Sequence, residues 1–273
     1  MDINDRLVEL AAEFSGRMGL AAQHTDEEEN ILLNAEEIFP TASCIKVPIL
    51  VELYCQVREG KLALEEEVTV LEKDQVPGTG VLKDLSPGIR LSLQDIAVLA
   101  ITVSDNTAAN ILIDRLGQAK INERMSILGL GDICLGTYFF FEQPELNVGS
   151  PESFLKLLLG LARRVLLPPQ DCDKILEIMK RQQYVEYIPR HLPYHRFEVE
   201  FGQDAGLQVA NKVGMISGVI NDMAVITHPA FQYAIVIFTK DCHDPRFGPD
   251  NEGALLVAEA SRLVFEHFNQ LRE

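Results

Sequence analysis

Leu7, Leu10, Ala11 and Phe14 recur at helical spacing, which predicts a helix over residues 3–15. "RMGLAAQHT" and "NILLNAEEIF" then read as two strands, joined by a solvated hairpin turn, "DEEEN". From Ala42 to about Arg190 most segments carry a helical pattern. "SLQDIAVLAITV" has Ser92 as a cap before a polar first turn, and "TAANILIDRLG" stops on Gly117. "SPESFLKLLLGLARRVL" opens with Ser150 at the cap and Pro151 at the first helical position, and "CDKILEIMKRQQ" is amphipathic. Beyond residue 205 the period changes. "LQVANKVGMI", "NDMAVITHP" and "FQYAIVIFTK" are strand-like, and "NEGALLVAEASRLVFEHFNQ" is a closing amphipathic helix.

Strand-forming stretches therefore lie at both ends, around a helical block. The expected fold is α/β of the α+β kind: an antiparallel sheet flanked by the terminal helices, with an inserted all-helical part. Residues 1–40 and 205–273 form the sheet part and 41–204 the helical part of one catalytic unit, with a cleft at their junction.

Composition narrows the function. Of 273 residues, 47% are hydrophobic, enough for a sizeable core. The net charge of -17 argues against nucleic-acid and membrane-surface partners. The five cysteines, Cys44, Cys55, Cys134, Cys172 and Cys242, are odd in number and form no CxxC, so reduced thiols are expected rather than disulfides or zinc. The N-terminal segment lacks the apolar run of a secretory signal, and the longest apolar run is too short to span a bilayer. A cytoplasmic location is expected. Oligomeric state is not encoded legibly.

Three segments carry candidate chemistry. Ser43-x-x-Lys46 puts a hydroxyl and an amine on one helix face, and the N–H groups of a helix N-terminus can stabilise an oxyanion. Pro48, just beyond, predicts a bend. Alone the motif means little, because Ser153-x-x-Lys156 repeats it where Ser150 caps and Lys156 is a surface residue. Ser104-Asp105-Asn106 interrupts an apolar helix pattern. Asn106 can cap the next helix, or Ser104 can relay a proton while the Asn106 amide holds a carbonyl. Lys212-Val213-Gly214 sits on a predicted strand, where the lysine offers charge and the glycine allows close backbone approach.

Ser-x-x-Lys, Ser-Asp-Asn and Lys-x-Gly, at separations of 61 and 108 residues, make the sequence resemble the penicillin-recognising serine enzymes, in particular class A β-lactamases. The similarity extends through "PGIRLSLQDIAVLAITVSDNTAANILID", "FEQPELN", "RQQYVEYIPRHLP" and "VANKVG…GVINDMAVI". The resemblance implies a serine hydrolase that works through an acyl-enzyme on a small-molecule substrate, a β-lactam, ester or peptide-like amide, without metal or organic cofactor. Ser43 would be the nucleophile, Lys46 its proton partner and Ser104 a relay to the leaving nitrogen. Asn106 would contact the substrate amide, and Lys212 its carboxylate. The N–H groups of Ser43 and Met215 would form the oxyanion hole, and Asn147 would help hold the hydrolytic water. Val213 and Gly214 complete the third motif.

Three departures bear on turnover. Gln143 stands where the family loop has the deacylating glutamate, with Glu142 and Glu145 as its only acidic neighbours in that loop. Losing a general base costs on the order of 10²–10⁴ in rate, so an acyl-enzyme should linger. Val213 replaces a hydroxyl residue, and Ile220 replaces an arginine, both on the carboxylate-recognising side. The readings are then a weak β-lactamase, a carboxylesterase, amidase or penicillin-binding-protein-like relative, or a ligand-binding scaffold without turnover. Among weaker candidates, His191 and His195 lack a third metal ligand, and Pro193 disfavours a helix between them. Cys44 reads as a small buried residue, and Tyr184, Tyr187 and Tyr194 as packing residues or cleft lining.

Overall fold

The computed structural model describes residues 2–140, 146–196, 201 and 206–271. After helix α1 (Ile3–Glu13), strands β1 (Arg17–His24) and β2 (Asn30–Leu33) form the expected hairpin around the exposed acidic turn. Near the other end, β7 (Gln208–Ile216), β8 (Val219–His228) and β9 (Phe231–Lys240) are followed by α8 (Glu252–Gln270). The strands make one antiparallel sheet in the order β2-β1-β9-β8-β7, so β1 and β9 join the two ends of the chain at its centre. "NILLNAEEIF" does not continue as one strand. It breaks after Leu33, where Asn34 takes a left-handed φ of 48°, and resumes only as β3 (Phe39–Pro40), which pairs with β6 (Val148–Gly149). A second small pair joins β4 (Glu67–Thr69) to β5 (Arg90–Ser92).

Alternation along β9 shows how the layers are built. Tyr233, Ile235 and Ile237 bury against the terminal helices α1 and α8, while Ala234, Val236 and Phe238 join a second core under the helical segment. Both sheet faces are covered, which is why this strand reads as an unbroken apolar run. The helical segment comprises α2 (Lys46–Arg58), α3 (Leu93–Thr102), α4 (Asn106–Leu116), α5 (Gln118–Ile127), α6 (Pro151–Ala162) and α7 (Pro169–Met179). It does not stand beside the sheet, since α6 packs directly on β1, β8 and β9. The helix α2 is its axis, buried from Lys46 through Gln56. A helix buried on all sides has no polar stripe, so amphipathicity could not mark it. Its only buried carboxylate, Glu52, takes hydrogen bonds from Gln56 (2.8 Å) and Arg124 (2.7 Å).

Local signals placed several helix ends correctly. The hydroxyls of Ser92 and Ser150 accept from the N–H groups of Asp95 and Ser153, and Gly117 ends α4 with φ 87°. Pro48 lies in the first turn of α2, where N–H groups have no intrahelical partner, so it removes no helical bond and the expected bend loses its cause. Among the described residues, no helix is long and apolar enough to cross a membrane.

Candidate active site

The nucleophile candidate sits on a short 3₁₀ turn, Ala42–Ile45, that feeds into α2. Ala42 holds a left-handed φ of 45°, a conformation that costs a non-glycine residue on the order of 1–3 kcal/mol and is tolerated where the surroundings enforce it. Two contacts enforce it here. The Asn221 amide donates to the Pro40 carbonyl (2.7 Å), and the Asn147 carbonyl accepts from the Thr41 N–H (2.8 Å). Strand β7 then lies flat against the turn at Gly214. A Cβ there would meet the Thr41 carbonyl oxygen at 2.6 Å and the Ser43 and Cys44 nitrogens at 3.0 Å, so only glycine permits the approach.

Ser104 is the meeting point of the three motifs. Its Oγ accepts from Lys46 Nζ at 3.2 Å and from Lys212 Nζ at 3.0 Å, and its φ of 53° is again left-handed. Lys46 also donates to the Ser104 carbonyl (2.7 Å) and to Asn106 Oδ1 (2.8 Å), and lies 4.2 Å from the centre of the Phe139 ring. Lys212 donates in addition to the Val213 carbonyl at 2.7 Å. Both lysines are 0% exposed. Burial, then the like charge of Lys212, pushes Lys46 well below the ordinary lysine value. Burial pushes Lys212 down to about 8, opposed by the nearby Asp222 carboxylate. Asp222 is itself pushed up by burial to about 7, held back by hydrogen bonds from the Ile188 N–H, Asn211 and the Met223 N–H.

The loop before α3 completes the setting. Asp105, not Asn106, caps α4, accepting from the Ala108 N–H (2.9 Å), while its other oxygen accepts from the Val81 and Leu82 N–H groups. This frees Asn106 to face Lys46, so its alternative reading as a cap is set aside. The Thr79 hydroxyl donates to the Ser104 carbonyl at 2.7 Å, and Asn106 Nδ2 to the Pro77 carbonyl at 3.2 Å.

Ser43 and Asn106 open onto a cavity of about 390 Å³, shared with Ala42, Gly78, Thr79, Phe139, Phe140, Met215, Ile216, Ser217 and Phe247. The structure thus gathers Ser43, Lys46, Ser104, Asn106, Lys212, Gly214 and Met215 around one site. Val213 and Ile220 do not line the cavity, because their side chains are buried in the core facing the terminal helices, Ile220 against Gly253. The expectation that Val213 and Ile220 border the substrate is therefore corrected, and the apolar lining comes from Phe139, Phe140, Met215, Ile216 and Phe247. Asn147 Oδ1 accepts from the N–H groups of Gly136 and Thr137, which ties down the segment leading to Phe139. Glu142, Gln143 and Glu145 lie outside the described residues.

The other candidates fall away from the cavity. Cys44 is buried with its thiol donating to the Lys212 carbonyl (3.3 Å), and burial raises its pKa. Tyr187 packs in the core by the terminal helices and donates to Met215 Sδ (2.6 Å), with Tyr184 and Tyr194 packed around it. Ser153 is buried behind its cap, and Lys156 pairs with Glu152 on the surface (2.9 Å). His191 lies 3.8 Å from Glu259. Sequence reasoning missed Thr79, Phe139, Phe140, Phe247 and Asp222. Signals existed for some of them: three successive phenylalanines, a lone phenylalanine between arginine and glycine in a proline-bounded stretch, and a carboxylate inside an apolar strand.

Sheet order, paired terminal helices and a helical insert define the class A β-lactamase fold. A β-lactamase from Sphaerobacter thermophilus DSM 20745 superimposes with a TM-score of 0.88 at 25% identity over 99% of both chains. A protein named PBP-A does so with a TM-score of 0.85 at 28% identity, over 98% of this chain and 96% of its own. In sequence, Beta-lactamase 3 of Bacillus cereus is 24% identical over 96% of this chain and 80% of its own length. The β-lactamase of Bacillus amyloliquefaciens is 28% identical over 96% and 83%. The chain belongs to the Beta-lactamase enzyme family, whose profile it matches over residues 2–268.

Proposed function

We propose that this protein is a serine hydrolase acylated at Ser43 by β-lactam or related amide and ester carbonyls, and that it releases the acyl group slowly. The observation that carries the reading is the convergence of two buried lysine side chains on Ser104 Oγ, with Lys46 also bonded to Asn106, which shares its cavity with Ser43. In acylation, Ser43 Oγ bonds to the carbonyl carbon, the scissile C–N or C–O bond breaks, and the serine proton passes through Lys46 and Ser104 to the leaving atom. All three protons of a Lys46 ammonium already have acceptors, so accepting from Ser43 requires the neutral amine, which burial favours. The charge of Lys212 holds Ser104 in place, and the Ser43 and Met215 N–H groups receive the oxyanion. A point mutant of PBP-A, 28% identical to this chain, is known as an acyl-enzyme complex with penicillin G, which supports the same bond here.

Slow release rests on Gln143. A neutral amide does not take a proton from water as a carboxylate does, so the water that cleaves the acyl–serine bond lacks its usual base. The test is intact mass after incubation with a fluorescent penicillin, a chromogenic cephalosporin and a p-nitrophenyl ester. An adduct that Ser43→Ala abolishes is expected, with release accelerated at least tenfold by Gln143→Glu. Rapid turnover of the cephalosporin by the unmodified protein would overturn the slow-release step. No adduct and no ester cleavage would leave the binding-scaffold reading.

A further inference from the structure

We propose that the natural substrate presents an uncharged, apolar group to this site: an ester or amide bearing an aromatic or branched alkyl substituent that seats between Phe140 and Phe247. The proposal rests on acylation at Ser43 and names the substrate class for it.

Among the described residues, no charged side chain lines the cavity. Lys212, expected to meet a substrate carboxylate, is 0% exposed and spends its ammonium on Ser104 Oγ and the Val213 carbonyl. Lys46 is equally buried and turned to Ser104 and Asn106. The nearest cation along the chain from Phe247 is Arg246, which is engaged by both carboxylate oxygens of Asp244 (2.8 and 2.6 Å) and by the Asp250 carbonyl. Residues 141–145, next to Phe140, contain no lysine or arginine. A substrate carboxylate would find no cation among the described residues of the lining to replace its water, and it would enter against the field of a chain carrying -17.

The mouth offers apolar surface instead. Phe140 is 59% exposed and Phe247 66% exposed, and both line the cavity together with the exposed Ile216. Phe140 is held at the mouth by its backbone: its φ is 61°, and its ring covers Gly78, where a Cβ would meet ring atoms at 2.1 Å and 2.4 Å. Its neighbour Phe139 is fixed by paired hydrogen bonds with Asn110, at 2.9 and 3.0 Å. Left-handed backbone at a bulky residue and an exposed ring on a fixed loop are both costs that burying an apolar substituent would offset. The volume of about 390 Å³ is within the range of small-molecule sites.

The test uses p-nitrophenyl esters that share a leaving group and differ in the acyl part: phenylacetate, acetate, and the singly anionic glutarate monoester. Acylation is followed by p-nitrophenolate release and by the Ser43 adduct in intact mass. Phenylacetate is expected to acylate Ser43 at least tenfold faster in kcat/KM than the anionic ester. Phe140→Ala and Phe247→Ala are each expected to lower the phenylacetate-to-acetate ratio about fivefold or more. Phe247→Arg, which supplies the missing cation at an exposed position, is expected to raise the anionic ester relative to phenylacetate. An anionic ester that reacts as fast as phenylacetate, or ratios unmoved by either alanine variant, overturns the apolar-substrate proposal while leaving acylation standing. No Ser43 adduct with any ester or with penicillin overturns both.

Discussion

The floor of the cavity and its rim are built on opposite plans. On the floor, Lys46, Ser104, Asn106 and Lys212 are all buried and bonded to one another at 2.7–3.2 Å. At the rim, Phe140, Ile216 and Phe247 are exposed, apolar and free of charged neighbours within the described lining. Buried charges persist only where every partner is in place, so the floor tolerates little change. Exposed rings contribute little to the fold's stability, so the rim can be rebuilt for a new substrate. Conserving the first while altering the second is how one scaffold keeps its chemistry and changes its selectivity.

The contrast is broken most sharply at the floor. Lys46→Ala should slow acylation by on the order of 10²–10⁴, measured as the rate of Ser43 adduct formation on protein shown to be folded by its Tm. A loss under tenfold would move the base elsewhere. Gly214→Ala forces β7 away from the 42–45 turn, and a shift approaching 1 Å in a reacting group costs on the order of 10². Acylation with all substrates should fall together, in contrast to the selective losses expected at the rim.

Effects of pH are smaller and have a definite sign. Acylation should rise with pH as Lys46 loses its proton, then fall above about pH 8 as Lys212 loses its charge. The Asp222 carboxylate favours the charged form of Lys212, so Asp222→Asn should move the alkaline limb to lower pH. A limb that stays in place would show that another group controls it. The smallest effect is expected at the rim. Phe247→Ala should change stability by no more than about 0.5 kcal/mol, as surface substitutions do, and a larger drop in Tm would make Phe247 a structural residue.

Much of this molecule is legible along the chain because its signals are local. Ser92, Ser150 and Gly117 mark helix ends through bonds or dihedrals only a few residues long. The β-rich apolar runs at both ends and the helical period between them assign the elements, and the three short motifs single out the polar residues that later meet. Whether Asn106 caps α4 or faces the site is not legible along the chain, since Asp and Asn are equally good caps and only the spatial position of Lys46 separates them.

What the tertiary structure alone decided is which side chains face one another. Val213 looked like a cavity residue because it lies between two motif positions, and Ile220 because the resemblance has an arginine there. On a strand, however, adjacent residues point to opposite faces, and theirs is the face buried against the terminal helices. The mouth of the cavity joins residues near 78, 140, 216 and 247, segments with no shared period or motif. The charge state of Lys212 is likewise a property of its surroundings, since its ammonium loses water only when β7 closes over Ser104. Sequence periodicity reports burial along one element at a time, whereas a binding surface is made by several elements at once.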